Sequence, residues 1–179
     1  MEHAVSIARV ISTVNQMEAD GVVDRYAIGG AVGATFYLEP VATMDVDIFV
    51  MFRQESGQLL LGPRPIFDFL TARGGVVKGE YIVIEGWPVQ FLPPTNPLVE
   101  EALEEAVSVD VDGMPARVLT AEHLAAIALQ TGRAKDHARL LQFIEAAAIN
   151  TERYQAILRR HGLVDQWHAF KRKFLQDER

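Results

Sequence analysis

The chain has 179 residues, 49% of them hydrophobic and 23% charged, with a formal net charge of -7 and no cysteine. Such a composition suits a soluble globular protein with a core of its own, and it excludes disulfides, thiolate metal sites and a cysteine nucleophile. The acidic balance argues against wrapping a long nucleic acid, because that binding rests on neutralising phosphates with Lys and Arg, but a small nucleotide brings its own cation and escapes the argument.

In chain order, the opening MEHAVSIARVIS has no basic segment followed by a long apolar run, and no later stretch is apolar for the length of a membrane span. The cytoplasm is therefore the expected location, with no membrane partner. Val5, Ala8, Val10, Ile11 and Val14 form the apolar face of a first helix that Gly21 closes.

Residues 26–50, YAIGGAVGATFYLEPVATMDVDIFV, then predict a strand over 26–28, a turn at Gly29 and Gly30, a short helix over 32–37 and a second strand over 44–51. Side chains two apart on a strand share a face, so Asp45 and Asp47 stand together opposite Met44, Val46, Ile48 and Val50. Two adjacent like charges on one face of a central strand repel unless a cation or a donor sits between them, and a divalent metal is the natural occupant. Gly29 and Gly30, lacking side chains, let a phosphate approach the backbone at the start of the short helix. The bland alternative is a tight turn beside two carboxylates solvated at a sheet edge. The strongly apolar opposite face favours the site.

Further on, a helix is expected over 66–72, closed by Gly74 and Gly75, and strands around Val76, over 81–84 and over 89–92. Asn96 followed by Pro97 is a helix start, Asn as cap and Pro in the first turn. Glu100, Glu101, Glu104 and Glu105 read as a solvated acidic face more readily than as a metal site. VSVDVDGMPARVL reads as a hairpin turned at Asp112 and Gly113, which makes Asp110 and Asp112 turn residues rather than a second metal pair. From Thr120 the pattern is helical, with breaks near Gly132, near Asn150 and at Gly162. No HEXXH motif or nucleophile elbow occurs, and Trp87, Trp167 and Phe170 read as core or interface residues.

The Gly-Gly at a strand end, the short helix, and then Thr43, Asp45 and Asp47 in Thr-x-Asp-x-Asp resemble the core of the nucleotidyltransferase superfamily, the DNA polymerase β-like fold. Minimal bacterial members related to abortive-infection and toxin–antitoxin nucleotidyltransferases are the nearest in pattern. Residues 128–141, ALQTGRAKDHARLL, resemble the helical segment with a basic residue and a Lys-Asp pair in those proteins.

The resemblance implies an α+β fold: a nucleotidyltransferase-like mixed sheet with flanking helices over 1–118, followed by a helical subdomain over 119–179. It implies transfer of a nucleoside monophosphate from an NTP to a protein or RNA hydroxyl, dependent on magnesium or manganese. Asp45 and Asp47 would hold the metal and act in catalysis, Gly29, Gly30 and Thr43 would hold the nucleotide, and Arg133 and Lys135 would contact phosphates, unless they form only a solvated basic turn. Asp136 is placed to cap the next helix.

The pattern departs from the family at Val41, at Gln130, and at Gln90, which stands where a third catalytic carboxylate is expected. Glu80 and Glu85 are the nearest replacements in sequence. The rival reading is a catalytically silent nucleotide-binding or partner-binding module of a toxin–antitoxin-like system.

Overall fold

The computed structural model describes residues 7–39, 45–52 and 63–175. Among these, the chain runs through α1 (Ile7–Ala19), β1 (Val23–Ile28), α2 (Gly30–Ala34), β2 (Val46–Phe52), α3 (Arg64–Thr71), β3 (Val76–Lys78), β4 (Tyr81–Ile84), β5 (Trp87–Leu92), α4 (Pro97–Glu104), β6 (Val107–Val111) and β7 (Met114–Val118). It ends in four successive helices, α5 (Ala121–Thr131), α6 (Ala134–Glu145), α7 (Thr151–Arg160) and α8 (Val164–Phe174). This is the expected α+β arrangement.

Local chemistry accounts for most of the boundaries. Asn96 Oδ1 accepts from the Val99 N–H at 3.0 Å and Pro97 opens α4, while Asn150 caps α7 by accepting from the Arg153 N–H at 3.0 Å. Gly132 closes α5 at φ +68°. Asp112 and Gly113 both have positive φ, 52° and 83°, the pattern of a type I′ hairpin turn, and Asp110 Oδ1 accepts from the Gly113 N–H at 3.0 Å. Asp112 is thus a turn residue, and Asp110, near the end of β6, braces the turn with its side chain.

The strands form one mixed sheet in the order β3-β4-β5-β2-β1-β7-β6. At its centre β2 runs antiparallel to β1 and parallel to β5, with Asp47 opposite Gln90. The alternation read from the sequence is realised along β2. Val46, Ile48 and Val50 are buried among Val10, Ile11 and Val14 of α1 and Ile66 and Leu70 of α3. The opposite face carries Asp47 and then Phe49 and Met51, which pack beneath α4, α5 and the later helices around Leu98, Leu103, Leu124 and Phe143. Helices therefore cover both faces. No helix among the described residues is long and apolar enough to cross a membrane.

The helical layer is tied down at one partly buried polar cluster. Glu101 of α4 accepts from His123 Nε2 of α5 at 2.9 Å and from Arg160 Nε of α7 at 2.8 Å, and His161 Nε2 lies 3.1 Å away. The other ring nitrogen of His123, 1% exposed, stands 2.7 Å from the Thr120 hydroxyl. Of the four acidic residues on this stretch, Glu101 is the one built into the fold. Burial pushes its carboxyl up, but the bonds from Arg160, His123 and His161 outweigh burial and bring it from 4.5 down to about 2.

A carboxylate whose pKa is lowered on folding contributes stability above its unfolded value, and that contribution is lost as pH falls through the folded value. The wild type should therefore lose stability between about pH 4.5 and pH 2 partly through Glu101. Glu101→Gln should cost about 1–3 kcal/mol at neutral pH, the typical range for a lost charge-assisted hydrogen bond, and should show a shallower acid decline. Urea denaturation across that range tests this; parallel pH curves for the two proteins would refute it.

Candidate active site

The turn between β1 and α2 brings the glycines against the carboxylate strand. Gly30 has φ +58°, a conformation costly for any residue with a side chain, and a Cβ placed there would overlap Asp47 Oδ2 and come 3.0 Å from the Asp47 Cβ. Gly30 is thus required twice, by its backbone and by Asp47. Gly29 plays a different part. Its N–H donates to the Asp47 backbone carbonyl at 3.0 Å, and a Cβ there would run into the Phe49 ring and meet Leu119 Cδ1 at 3.3 Å. Of the two, Gly30 lines the cavity described next, whereas Gly29 spaces the core beneath it. Helix α2 has only five residues, so its dipole is a short one.

Asp45 immediately precedes β2, and Asp47 lies in it. Both line a cavity of about 510 Å³ between the sheet face and the helical layer. The same cavity receives Gln90 from β5, Arg133 and Lys135 at the start of α6, and Arg139 one turn further along that helix. The structure therefore gathers Gly30, Asp45, Asp47, Gln90, Arg133 and Lys135. Thr43, and Val41 beside it, lie outside the described residues.

The electrostatics follow from this placement. Burial pushes the Asp47 carboxyl up, and the neighbouring Asp45 charge pushes it further the same way; Arg139, Lys135 and Arg133 pull it back. These influences are desolvation and charge, with no hydrogen bond among them. The Asp45 charge in turn raises the Tyr81 hydroxyl. Among the described residues no three His, Cys, Asp or Glu side chains come together as a metal cage. One carboxylate raised by burial and by the charge of a second beside it, with most of a coordination shell left over, fits a magnesium-type ion that completes its octahedron with water and phosphate oxygens.

The cations are held unequally. Arg133 donates through Nε to Asp136 Oδ2 at 2.7 Å and through a terminal nitrogen to Oδ1 at 3.3 Å, and Arg139 lies 3.9 Å from the same carboxylate. Asp136, 2% exposed, also accepts from the Arg133 backbone N–H at 3.2 Å and so caps α6 as expected. Lys135 is exposed and reaches Asp47 by charge alone.

Three features escaped the sequence reading. Arg139 was overlooked, although its spacing of four from Lys135 puts both on one helix face. Gln130 is engaged in the fold, accepting from Asn96 Nδ2 at 2.9 Å. Glu80 and Glu85 part company: Glu85 pairs with Arg9 at 3.2 Å beside a separate cavity of about 340 Å³, whereas Glu80 lines the Asp45–Asp47 cavity and accepts from Gln90 Nε2 at 3.2 Å.

No family model matches the sequence, and no curated protein does. Among solved structures the chain is similar to an antigenic nucleotidyltransferase-like protein from Paracoccidioides brasiliensis, at 15% identity and TM-score 0.54, over 92% of this chain and 91% of that one. It is also similar to the antibiotic-resistance factor ANT(2'')-Ia in solution, at 14% identity and TM-score 0.52, over 93% and 95% of the two chains. At these identities the likeness establishes a nucleotidyltransferase-like fold.

The two glycines should separate on mutation. If manganese binds at Asp45 and Asp47 it should raise the melting temperature; Gly29→Ala should destabilise the protein by about 1–3 kcal/mol through overpacking while keeping that rise. Gly30→Ala should cost about 1–2 kcal/mol for its left-handed backbone and lose that rise, because the new methyl displaces Asp47. Thermal melts with and without manganese decide; retention of the metal response by Gly30→Ala would show that Asp47 tolerates displacement.

Proposed function

We propose that this protein is a divalent-metal-dependent nucleotidyltransferase that moves a nucleoside monophosphate from an NTP to a hydroxyl. The observation that carries the reading is the single cavity in which Asp45 and Asp47 face Arg133, Lys135 and Arg139, with both sets of charges felt at Asp47. The nucleotidyltransferase-like fold supports it. In this reading residues 1–118 form the domain that supplies the carboxylates and residues 119–179 the helical subdomain that supplies the cations.

Nucleotidyl transfer needs the triphosphate held, the charge on the transferring phosphorus offset, and the attacking oxygen in line. Asp45 and Asp47 would hold magnesium or manganese. When bound, the ion would supply positive charge that offsets the phosphate charge and favours loss of the acceptor proton. Lys135 and Arg139 approach from the helical side and neutralise the remaining phosphate charge. Arg133 contributes with the part of its guanidinium left over from Asp136. Gly30 leaves the bare backbone beside Asp47 open to a phosphate.

The acceptor is proposed as a hydroxyl on a protein or RNA, as in toxin–antitoxin-like systems. A second reading, binding of nucleotide without turnover, draws on Gln90, whose amide occupies the strand position directly beside Asp47 and cannot accept a proton. Both readings require nucleotide binding, and release of pyrophosphate separates them.

Calorimetry with manganese and a non-hydrolysable NTP should show binding by the wild type and a loss of about tenfold or more in affinity for Asp45→Asn, a difference of roughly 1.4 kcal/mol or greater. Lys135→Ala should weaken nucleotide binding and leave binding of manganese alone unchanged. Equal nucleotide affinity for wild type and Asp45→Asn would sink the metal assignment.

A further inference from the structure

Transfer to a hydroxyl must dispose of the hydroxyl proton, and the group that takes it has to reach the cavity without being committed elsewhere. Among the described residues four carboxylates line the cavity: Asp45, Asp47, Glu80 and Asp136. Asp136 is buried and engaged by the Arg133 side chain, the Arg133 N–H and Arg139. Asp45 and Asp47 are assigned to the metal. Glu80 remains. It is exposed; one oxygen, Oε2, accepts from Gln90 Nε2, and the structure gives Oε1 no partner among the described residues.

Its position is set by the hairpin that carries it. Lys78 pairs with Tyr81, so Gly79 and Glu80 form a two-residue loop, with Gly79 at φ +61° in the first central position. The loop delivers Tyr81 to Asp45 and Glu80 to Gln90, while Gln90 sits in register beside Asp47. A carboxylate is thus tethered, through an amide on the neighbouring strand, at the flank of the aspartate pair.

We propose that Glu80 is the proton acceptor of the transfer reaction and Gln90 the residue that positions it, an assignment that rests on the nucleotidyl-transfer reading. The acceptor hydroxyl gives its proton to the Glu80 carboxylate. The oxygen lone pair forms the new bond to the α-phosphorus of the NTP, the bond from that phosphorus to the bridging oxygen breaks, and pyrophosphate leaves with the electron pair. Glu80 then returns the proton to solvent.

The test uses the full chain with manganese ATP and water as the acceptor, following pyrophosphate release across pH and nucleotide affinity by calorimetry. Glu80→Gln should lower the rate by about 100-fold or more, in the range typical of a lost general base, abolish the acidic limb of the pH–rate profile, and leave manganese-ATP affinity within about threefold. Moving the carboxylate across the hydrogen bond, in the double variant Glu80→Gln with Gln90→Glu, should recover at least about tenfold of the lost rate, a coupling that independent sites would not show.

An unchanged rate for Glu80→Gln overturns the assignment and leaves nucleotidyl transfer standing. A parallel fall in affinity and rate makes Glu80 part of the nucleotide or metal site and overturns it too. A wild type that binds manganese ATP but releases no pyrophosphate, with water or with hydroxyl-bearing protein and RNA added, brings down the transfer reading and this inference together.

Discussion

The arrangement turns on one carboxylate. Asp47 is half-buried on the central strand of the sheet, against the bare Cα of Gly30 and beside a second carboxylate, with burial and repulsion both opposing its ionisation. Like charges side by side in a partly desolvated site repel, so the fold must answer them from outside the strand. The answer comes from α6, where Arg139, Lys135 and Arg133 all act on Asp47. The carboxylates belong to the sheet and the cations to a helix some ninety residues later in the chain. The site therefore exists only when sheet and helical layer are docked.

That docking rests on buried polar contacts as well as on apolar area. Asp136 fixes the start of α6 by capping it and gripping Arg133, while Glu101 joins α4 to α5 and α7 through His123 and Arg160. A buried charge is tolerated only when its partners are complete, since removing one leaves the other desolvated and alone. Asp136 meets that condition with the Arg133 side chain and N–H and lines the cavity wall itself, while Glu101, away from the cavity, meets it with His123 and Arg160. On the sheet side, a slip of one residue between β2 and β5 would move Asp47 away from Gln90 and turn Val46, Ile48 and Val50 out of the core. The apolar face of β2 thus guards the register of its polar one.

What could be read in the sequence was what short-range chemistry decides. The alternation of β2, the cap at Asn96, the hairpin at Asp112 and Gly113 and the break at Gly132 all follow from local periodicity or a single residue's backbone preference. Long-range pairing was hidden. Glu101 looked like one of four solvated glutamates until His123, twenty-two residues on, came to meet it. Gly29 and Gly30 looked equivalent, and they differ because one faces the Phe49 ring and the other the Asp47 carboxylate. Glu80 and Glu85 stand at the two ends of β4; only the pairing of β4 with β5 shows which end reaches the cavity.

The position of Glu80 carries a physical consequence for how such a site works. A carboxylate on a central strand is held by ladder bonds on both sides, whereas a group on a hairpin tip relies on its turn and whatever contacts it makes, and catalytic groups on loops are placed less sharply than those on strands. Here the outer strand β3 is three residues long with exposed valines, so the hairpin has little packing behind it. The bond from Gln90 Nε2 is then the restraint that ties the tip to the rigid centre of the sheet. An amide suits that task better than a second carboxylate, which would repel Glu80 and add a third negative charge beside Asp47. With Glu80 as the proposed proton acceptor, Gln90 turns a strand position into a tether, and the accepting group stands at the exposed rim of the cavity, where water can reach it.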